Sequence, residues 1–147
     1  MKIKAVINEK YEEMELHVCH ASMNERVADM VSSLDEFLNQ SFSVRKENGD
    51  MIVISSSDIL SVFAQNQHVY VKTVQGLCET QLSLSALEEK LDRGQFFRIS
   101  RSEIINLKKI RKLDMGMTGT IKVILSDGSE SYTSRRNVTS LKRALGI

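Results

Sequence analysis

Apolar residues follow a helical spacing in one early stretch and a strand spacing almost everywhere after it. Met23, Val27, Met30, Val31, Leu34, Phe37 and Leu38 recur at intervals of 4, 3, 1, 3, 3 and 1. That lays one apolar face along a helix. Arg26, Asp29, Ser33, Glu36 and Asn39 fall largely opposite. Ser22 followed three residues on by Glu25 has capping-box spacing, so the helix is expected to begin there. Ahead of it, Met14, Leu16 and Val18 alternate with Glu15, His17 and Cys19, and residues 1–8 are apolar-rich and β-prone. Alternation with period 2 marks an extended chain. The chain therefore opens on an expected small β-β-α extension, residues 1–43. Its helix covers its own strands or, alternatively, packs on a second copy.

From Ser43 the pattern changes to short strands at close spacing. Residues 44–47 and 51–54 flank Asn48-Gly49, a pair suited to a type I′ hairpin turn. Further strands are expected at 59–63, 68–74 and 77–82. Ser85-Ala86-Leu87-Glu88 is a second capping-box spacing, opening a short helix with Leu84, Leu87 and Leu91 on one face. In Phe96-Phe97-Arg98-Ile99-Ser100-Arg101-Ser102-Glu103-Ile104-Ile105-Asn106, alternation puts Arg98, Ser100 and Ser102 on one face and Phe97, Ile99, Arg101 and Glu103 on the other. Residues 107–113, 120–125 and 131–134 continue the series, and Val138, Leu141 and Leu145 have helical spacing. The fold class is mainly β with α (α+β). With no proline to announce a linker, the boundary between extension and main domain is set where helix gives way to strands, near 40–43.

Charge changes the picture more than composition does. The formal net charge is only +1, yet residues 1–92 hold 8 Lys and Arg against 15 Asp and Glu, net −7. Residues 93–147 hold 12 against 4, net +8. A basic last third beside an acidic body points to a polyanionic partner. Enzyme chemistry finds no support: the sequence holds no G-x-S-x-G, Walker A or G-x-G-x-x-G. His17-Val18-Cys19-His20 has the letters of a metal site, but on a strand His20 faces away from His17 and Cys19, so no metal or cofactor is expected. Cys19 and Cys78 form no CxxC pair and read as reduced thiols of a cytoplasmic protein. No apolar run approaches the ~18 residues that a membrane-spanning helix needs.

Three segments share one chemistry. Gln67-His68 closes a polar loop at a strand start, Ser100-Arg101-Ser102 lies in the basic stretch, and Thr133-Ser134-Arg135-Arg136-Asn137 joins the last strand to the last helix. Each sets a long or ring-bearing donor among small hydroxyl or amide groups. Arginine forks onto guanine O6 and N7, while Ser, Asn and backbone N–H groups hold phosphates.

The stretch 96–110, followed by Leu125-Ser126-Asp127-Gly128, Ser134-Arg135-Arg136-Asn137 and the helix start Ser83-Leu84-Ser85-Ala86-Leu87-Glu88, resembles the LytTR DNA-binding domain. The resemblance covers about residues 44–147. It implies an elongated, multi-sheet β domain with a short helix, whose loops enter successive major grooves of a direct-repeat site. By position it implies base contacts from His68, Arg101 and Arg136. It also implies DNA-backbone contacts from Arg98, Ser100, Ser102, Ser134, Arg135 and Asn137. Many members carry histidine where this chain has Ser100, and asparagine or arginine where it has Arg101, which leaves the preferred base sequence open. The short extension stands in place of a receiver domain, as in small stand-alone members. Those are often encoded beside a small integral-membrane protein, which the resemblance implies as a partner.

The expected function is therefore sequence-specific binding of double-stranded DNA by a transcriptional regulator that is not an enzyme. A homodimer, or two copies on a direct repeat, would engage the site, and the extension would serve as the dimer or partner element. The alternative is a protein-interaction module whose acidic half docks a basic partner without touching DNA.

Overall fold

In the computed structural model, residues 8–10, 15–38, 40–116 and 119–147 are described. The chain divides into two compact units, Met1–Leu38 and Asn39–Ile147.

In the first unit the helix is present as α1, Glu25–Leu38. Its cap is Asn24 rather than Ser22: the Asn24 side-chain oxygen accepts the Val27 N–H at 3.0 Å, and its carbonyl accepts the Ala28 N–H at 3.0 Å. The apolar stripe is uncovered at Met23 (77% exposed) and Val31 (44%), while Val27, Met30 and Leu34 are half-buried. The first expected strand, residues 1–8, lies outside the described residues except for Asn8, as does Met14 at the start of the second. Residues 15–20 are irregular and exposed rather than a strand. A strand needs a neighbour for its backbone groups. Here local contacts act instead, with His17 Nε2 lying 2.8 Å from the Glu15 carboxylate and His20 Nδ1 2.8 Å from the Ser22 carbonyl oxygen.

The second unit is built on an antiparallel seven-stranded sheet. Its strands in chain order are β1 (Ser41–Lys46), β2 (Met51–Ser55), β3 (Ile59–Gln65), β4 (His68–Thr73), β5 (Gly76–Thr80), β6 (Phe96–Ser100) and β7 (Glu103–Asn106). In space they run β2-β1-β5-β4-β3-β7-β6. A smaller sheet, β10-β9-β8, comes from β8 (Ile110–Asp114), β9 (Lys122–Leu125) and β10 (Glu130–Tyr132). The helices are α2 (Leu84–Lys90) and α3 (Val138–Ala144). Ser83, not Ser85, caps α2 by accepting the Ala86 N–H at 3.1 Å.

Strand alternation decides which core each residue joins. Val62, Val71, Ile104 and Phe96 meet Leu84, Leu87 and Leu91 in one core, together with Val44 and Ile54. Leu60, Ile99 and Ile105 point the other way and meet Val123 and Leu125 of the small sheet and Leu141 of α3. Neighbours Ile104 and Ile105 thus sit in different cores, as a period of 2 requires. The central strands are covered on both faces. Asn106, fully buried, satisfies this junction: its amide donates to the Ile59 carbonyl at 2.8 Å, and its side-chain oxygen accepts the Lys108 N–H at 3.0 Å.

Two hairpins differ from expectation. At residues 47–49 only Gly49 has a positive φ (93°), and its N–H donates to the Lys46 carbonyl at 2.9 Å. That is a three-residue loop with a glycine bulge, not a type I′ turn. The type I′ geometry occurs at Asn66-Gln67, which hold φ of 51° and 65° between the paired residues Gln65 and His68.

Glu103 ties the two sheets together. Its carboxylate accepts the Ser131 hydroxyl at 2.6 Å. Burial holds its pKa above the ordinary glutamate value, opposed by the Ser131 hydroxyl, the Lys72 charge and the Ser61 hydroxyl. The folded state therefore keeps this proton better than the unfolded chain does. The stability that Glu103 contributes is present below the ordinary carboxylate range and is lost as pH rises through the raised value. Glu103→Gln keeps an acceptor for Ser131 but cannot ionise. Thermal melts of both proteins from about pH 4 to pH 7 should show wild type losing ground to the variant as pH rises; parallel curves would contradict the account.

Candidate nucleic-acid interface

Backbone pairing brings the three basic and polar loops to one end of the large sheet. β3 pairs with β7 up to Phe63 opposite Glu103, and the Ala64 N–H carries the ladder on to the Ser102 carbonyl at 2.8 Å. Gln65, its partner His68 and the Asn66-Gln67 turn therefore lie beside the Arg101-Ser102 turn that joins β6 to β7. The third loop, Ser134 with the 3-10 turn Arg135–Asn137, is fastened to β6. The Ser134 N–H donates to the Ile99 carbonyl at 3.1 Å. The Asn137 amide lies 3.3 Å and 3.2 Å from the Arg98 and Ile99 carbonyls.

The first loop is held under backbone strain. Asparagine tolerates positive φ because its side chain bonds locally; glutamine does so poorly, and such a residue costs about 1–3 kcal/mol. The rigid turn fixes where β4 begins, and with it His68. The His68 Nδ1 is 2.6 Å from Glu79 Oε1 of β5, with both side chains about half exposed. Tyr70 stands behind the imidazole at a centroid distance of 6.2 Å and in turn against Phe63 at 5.5 Å.

In the second loop a bulge between Arg98 and Ser100 ends the simple alternation. Ile99 stays fully buried, while Arg101 and Ser102 emerge into solvent. Ser100 and Ser102 face each other, hydroxyl to hydroxyl, at 3.4 Å, and the Ser102 N–H donates to the Ser100 hydroxyl at 3.3 Å. Arg98 lies outside this solvent-facing set. Its Nη1 donates to Glu88 of α2 at 2.8 Å, its Nε to the Ser100 carbonyl at 3.0 Å, and its Nη2 to the Arg101 carbonyl. The side chain is only 26% exposed. One guanidinium thus ties the turn to α2 through three bonds.

Arg101, Arg135 and Arg136 are exposed, and among the described residues none has an acidic partner. The Ser134 hydroxyl makes no capping bond. The end of the sheet therefore presents three unpaired guanidinium groups, a histidine ring and three serine hydroxyls on loops whose backbones are bonded to one another. Glu79 and Glu88 carry no local sequence signal. They lie 11 and 10 residues from their partners and meet them only through strand register and helix packing. Among the described residues no group of three or more His, Cys, Asp or Glu could hold a metal ion. No helix among them is long and apolar enough to cross a membrane.

Comparisons with known proteins show the family and the fold. The family model of the LytTr DNA-binding domain matches residues 49–146. A Staphylococcus aureus protein (strain MSSA476), described as an uncharacterized HTH-type transcriptional regulator, is 30% identical over 147 residues, spanning all of this chain and 99% of that one. Its counterpart in strain NCTC 8325 is 29% identical over the same span. A LytTr DNA-binding domain from Bacillus cereus superposes with a TM-score of 0.69 at 20% identity, covering 73% of this chain and 97% of that one. Among the described residues of the second unit, the "HTH-type" of the relatives' names has no counterpart: α2 and α3 are separated by β6 to β10 and enter different cores. The two-sheet β architecture and the family match over residues 49–146 lead to one conclusion: the chain belongs to the LytTR DNA-binding domain family.

Proposed function

We propose that the protein is a sequence-specific, double-stranded DNA-binding transcriptional regulator that engages a direct-repeat promoter site by inserting its loops into successive major grooves. The observation that carries this reading is the gathering of His68, Arg101 and Arg136 at one end of the large sheet, on loops tied together through β3 and β6: Ala64 to Ser102, and Ser134 and Asn137 to the end of β6. An arginine without an acidic partner is free to fork onto a guanine edge, and serine hydroxyls suit phosphate oxygens. His68, Arg101 and Arg136 are assigned the base contacts, and Ser100, Ser102, Ser134 and Arg135 the DNA backbone. The geometry favours a different role for Arg98 and Asn137. Their donor groups already hold the β6–β7 turn and the third loop, so we assign them to positioning. The relatives' description as transcriptional regulators supports the regulatory reading.

The extension is assigned the contact with a second copy, through the apolar stripe of Met23 and α1, exposed at Met23 and Val31 and half-buried at Val27, Met30 and Leu34. A small integral-membrane protein is the rival occupant of that stripe.

Selection from a random duplex pool, followed by gel shifts on the selected site and on random duplex over a salt series, tests the main reading. Arg101→Ala and Arg136→Ala should each weaken the selected site by about 1–3 kcal/mol and random duplex far less. Arg135→Ala should weaken both and lower the salt slope by roughly one. Equal losses on both DNAs for Arg101 and Arg136 would make them phosphate holders, and no binding to any duplex would favour the protein-interaction module. Arg98→Ala should lower the melting temperature and weaken the selected site together, because it frees two turn carbonyls and leaves Glu88 unpaired. An Arg98→Ala protein that melts like wild type yet loses salt-sensitive affinity would return Arg98 to the DNA backbone. In sedimentation equilibrium the full chain should self-associate and Val31→Glu should shift it to monomer; a monomeric wild type would remove α1 as the dimer element.

A further inference from the structure

The His68–Glu79 pair contains information about which base edge the first loop reads. His68 and Glu79 project from the same face of β4 and β5, where Tyr70 is the direct partner of Glu79 and His68 its diagonal neighbour. Long side chains reach across that diagonal. The 2.6 Å contact joins His68 Nδ1 to a carboxylate oxygen. A carboxylate has only lone pairs to offer, so the proton in that bond belongs to the imidazole Nδ1. In a neutral ring the other nitrogen, Nε2, then carries no proton and is a hydrogen-bond acceptor. Among the described residues no hydrogen bond engages Nε2. Tyr70 lies beside the ring at a centroid distance of 6.2 Å, and the Asn66-Gln67 turn sets the start of its strand. In the neutral ring, the carboxylate contact thus favours Nε2 as the acceptor before any ligand arrives.

We propose that Glu79 is a specificity-determining positioning residue: by keeping the proton on Nδ1 it makes His68 Nε2 an acceptor, so that the first loop reads an exocyclic amine on the major-groove edge. Such amines are the N6 group of adenine and the N4 group of cytosine, whereas guanine and thymine offer acceptors at that edge. Without the carboxylate the ring is free to carry its proton on Nε2, which would turn the same side chain into a donor suited to guanine or thymine. The inference rests on the reading of His68 as a base contact.

Two measurements on the full chain test it. The first is the ¹⁵N spectrum of the imidazole rings at neutral pH, with His17 and His20 as internal references. Wild type should show His68 with a protonated Nδ1 and a bare Nε2, and Glu79→Ala, which removes the acceptor, should move only His68 toward the Nε2–H form. A wild-type ring already protonated on Nε2, alone or on both nitrogens, would overturn the proposal. The second is the base preference of His68→Ala, Glu79→Val and Glu79→Ala on the selected site. Wild type should require adenine or cytosine at one position that His68→Ala makes indifferent. Deleting the amine there, for example with purine in place of adenine, should cost wild type about 5- to 150-fold and both Glu79 variants much less. If His68→Ala changes no base preference, the base-contact reading itself fails. If His68→Ala erases a preference for guanine or thymine, or the Glu79 variants keep wild-type discrimination, that reading survives and the role of Glu79 falls.

Discussion

The basic end of the large sheet depends on how β6 meets its need for hydrogen-bond partners. β6 is the last strand of the large sheet and pairs only with β7, so its outer carbonyls have no strand beside them. A buried carbonyl without a partner costs about 1–3 kcal/mol. Here the Arg98 and Ile99 carbonyls are met by the Ser134 N–H and the Asn137 amide. The edge is closed, and the closing segment is the one that carries Arg135 and Arg136. Edge protection and presentation of basic side chains are one set of bonds. The same strand delivers Ile99 into the second core, where α3 adds Leu141, so the anchor of the third loop is also core packing.

The arginines divide into two kinds by what surrounds them. Arg98 has a carboxylate and two carbonyls within reach and is largely covered; its charge serves the turn. Arg101, Arg135 and Arg136 stand exposed, and the described carboxylates nearby are engaged elsewhere: Glu88 with Arg98, Glu103 with Ser131, and Glu79 with His68. The acidic groups of this region stiffen the loops instead of neutralising them. A positive field held on bonded loops suits a polyanion, because little loop entropy remains to be lost on binding.

Much of this was legible in the chain itself. Alternation assigned the central strands, and the apolar side chains Phe96, Ile99, Ile104 and Ile105 are the packing that alternation calls for. Local rules failed where two positions satisfy the same rule. Ser22 and Ser85 both begin a box-like spacing, yet Asn24 and Ser83 cap the helices. The capping bond depends on where the apolar face must enter its core, and spacing alone does not contain that. The hairpin at Asn48-Gly49 takes a glycine bulge, while the strained Asn66-Gln67 turn takes the geometry usually filled by glycine. The strand expected through 15–20 lacked a paired neighbour among the described residues. Least visible were the partners of the site. Arg98 reads as one of a row of donors until α2 brings Glu88 against it, and Glu79 reads as an ordinary strand glutamate until register sets it beside His68.

The central claim is that the three loops form one DNA-binding surface. Backbone amide shifts recorded while the selected duplex is added to the full chain test it most directly. The account predicts that residues 65–68, 101–102 and 134–137 move together at one stoichiometry, with the β1–β2 hairpin at the other edge of the sheet unmoved. Shifts centred on that hairpin or on α1, with the three loops silent, would contradict it.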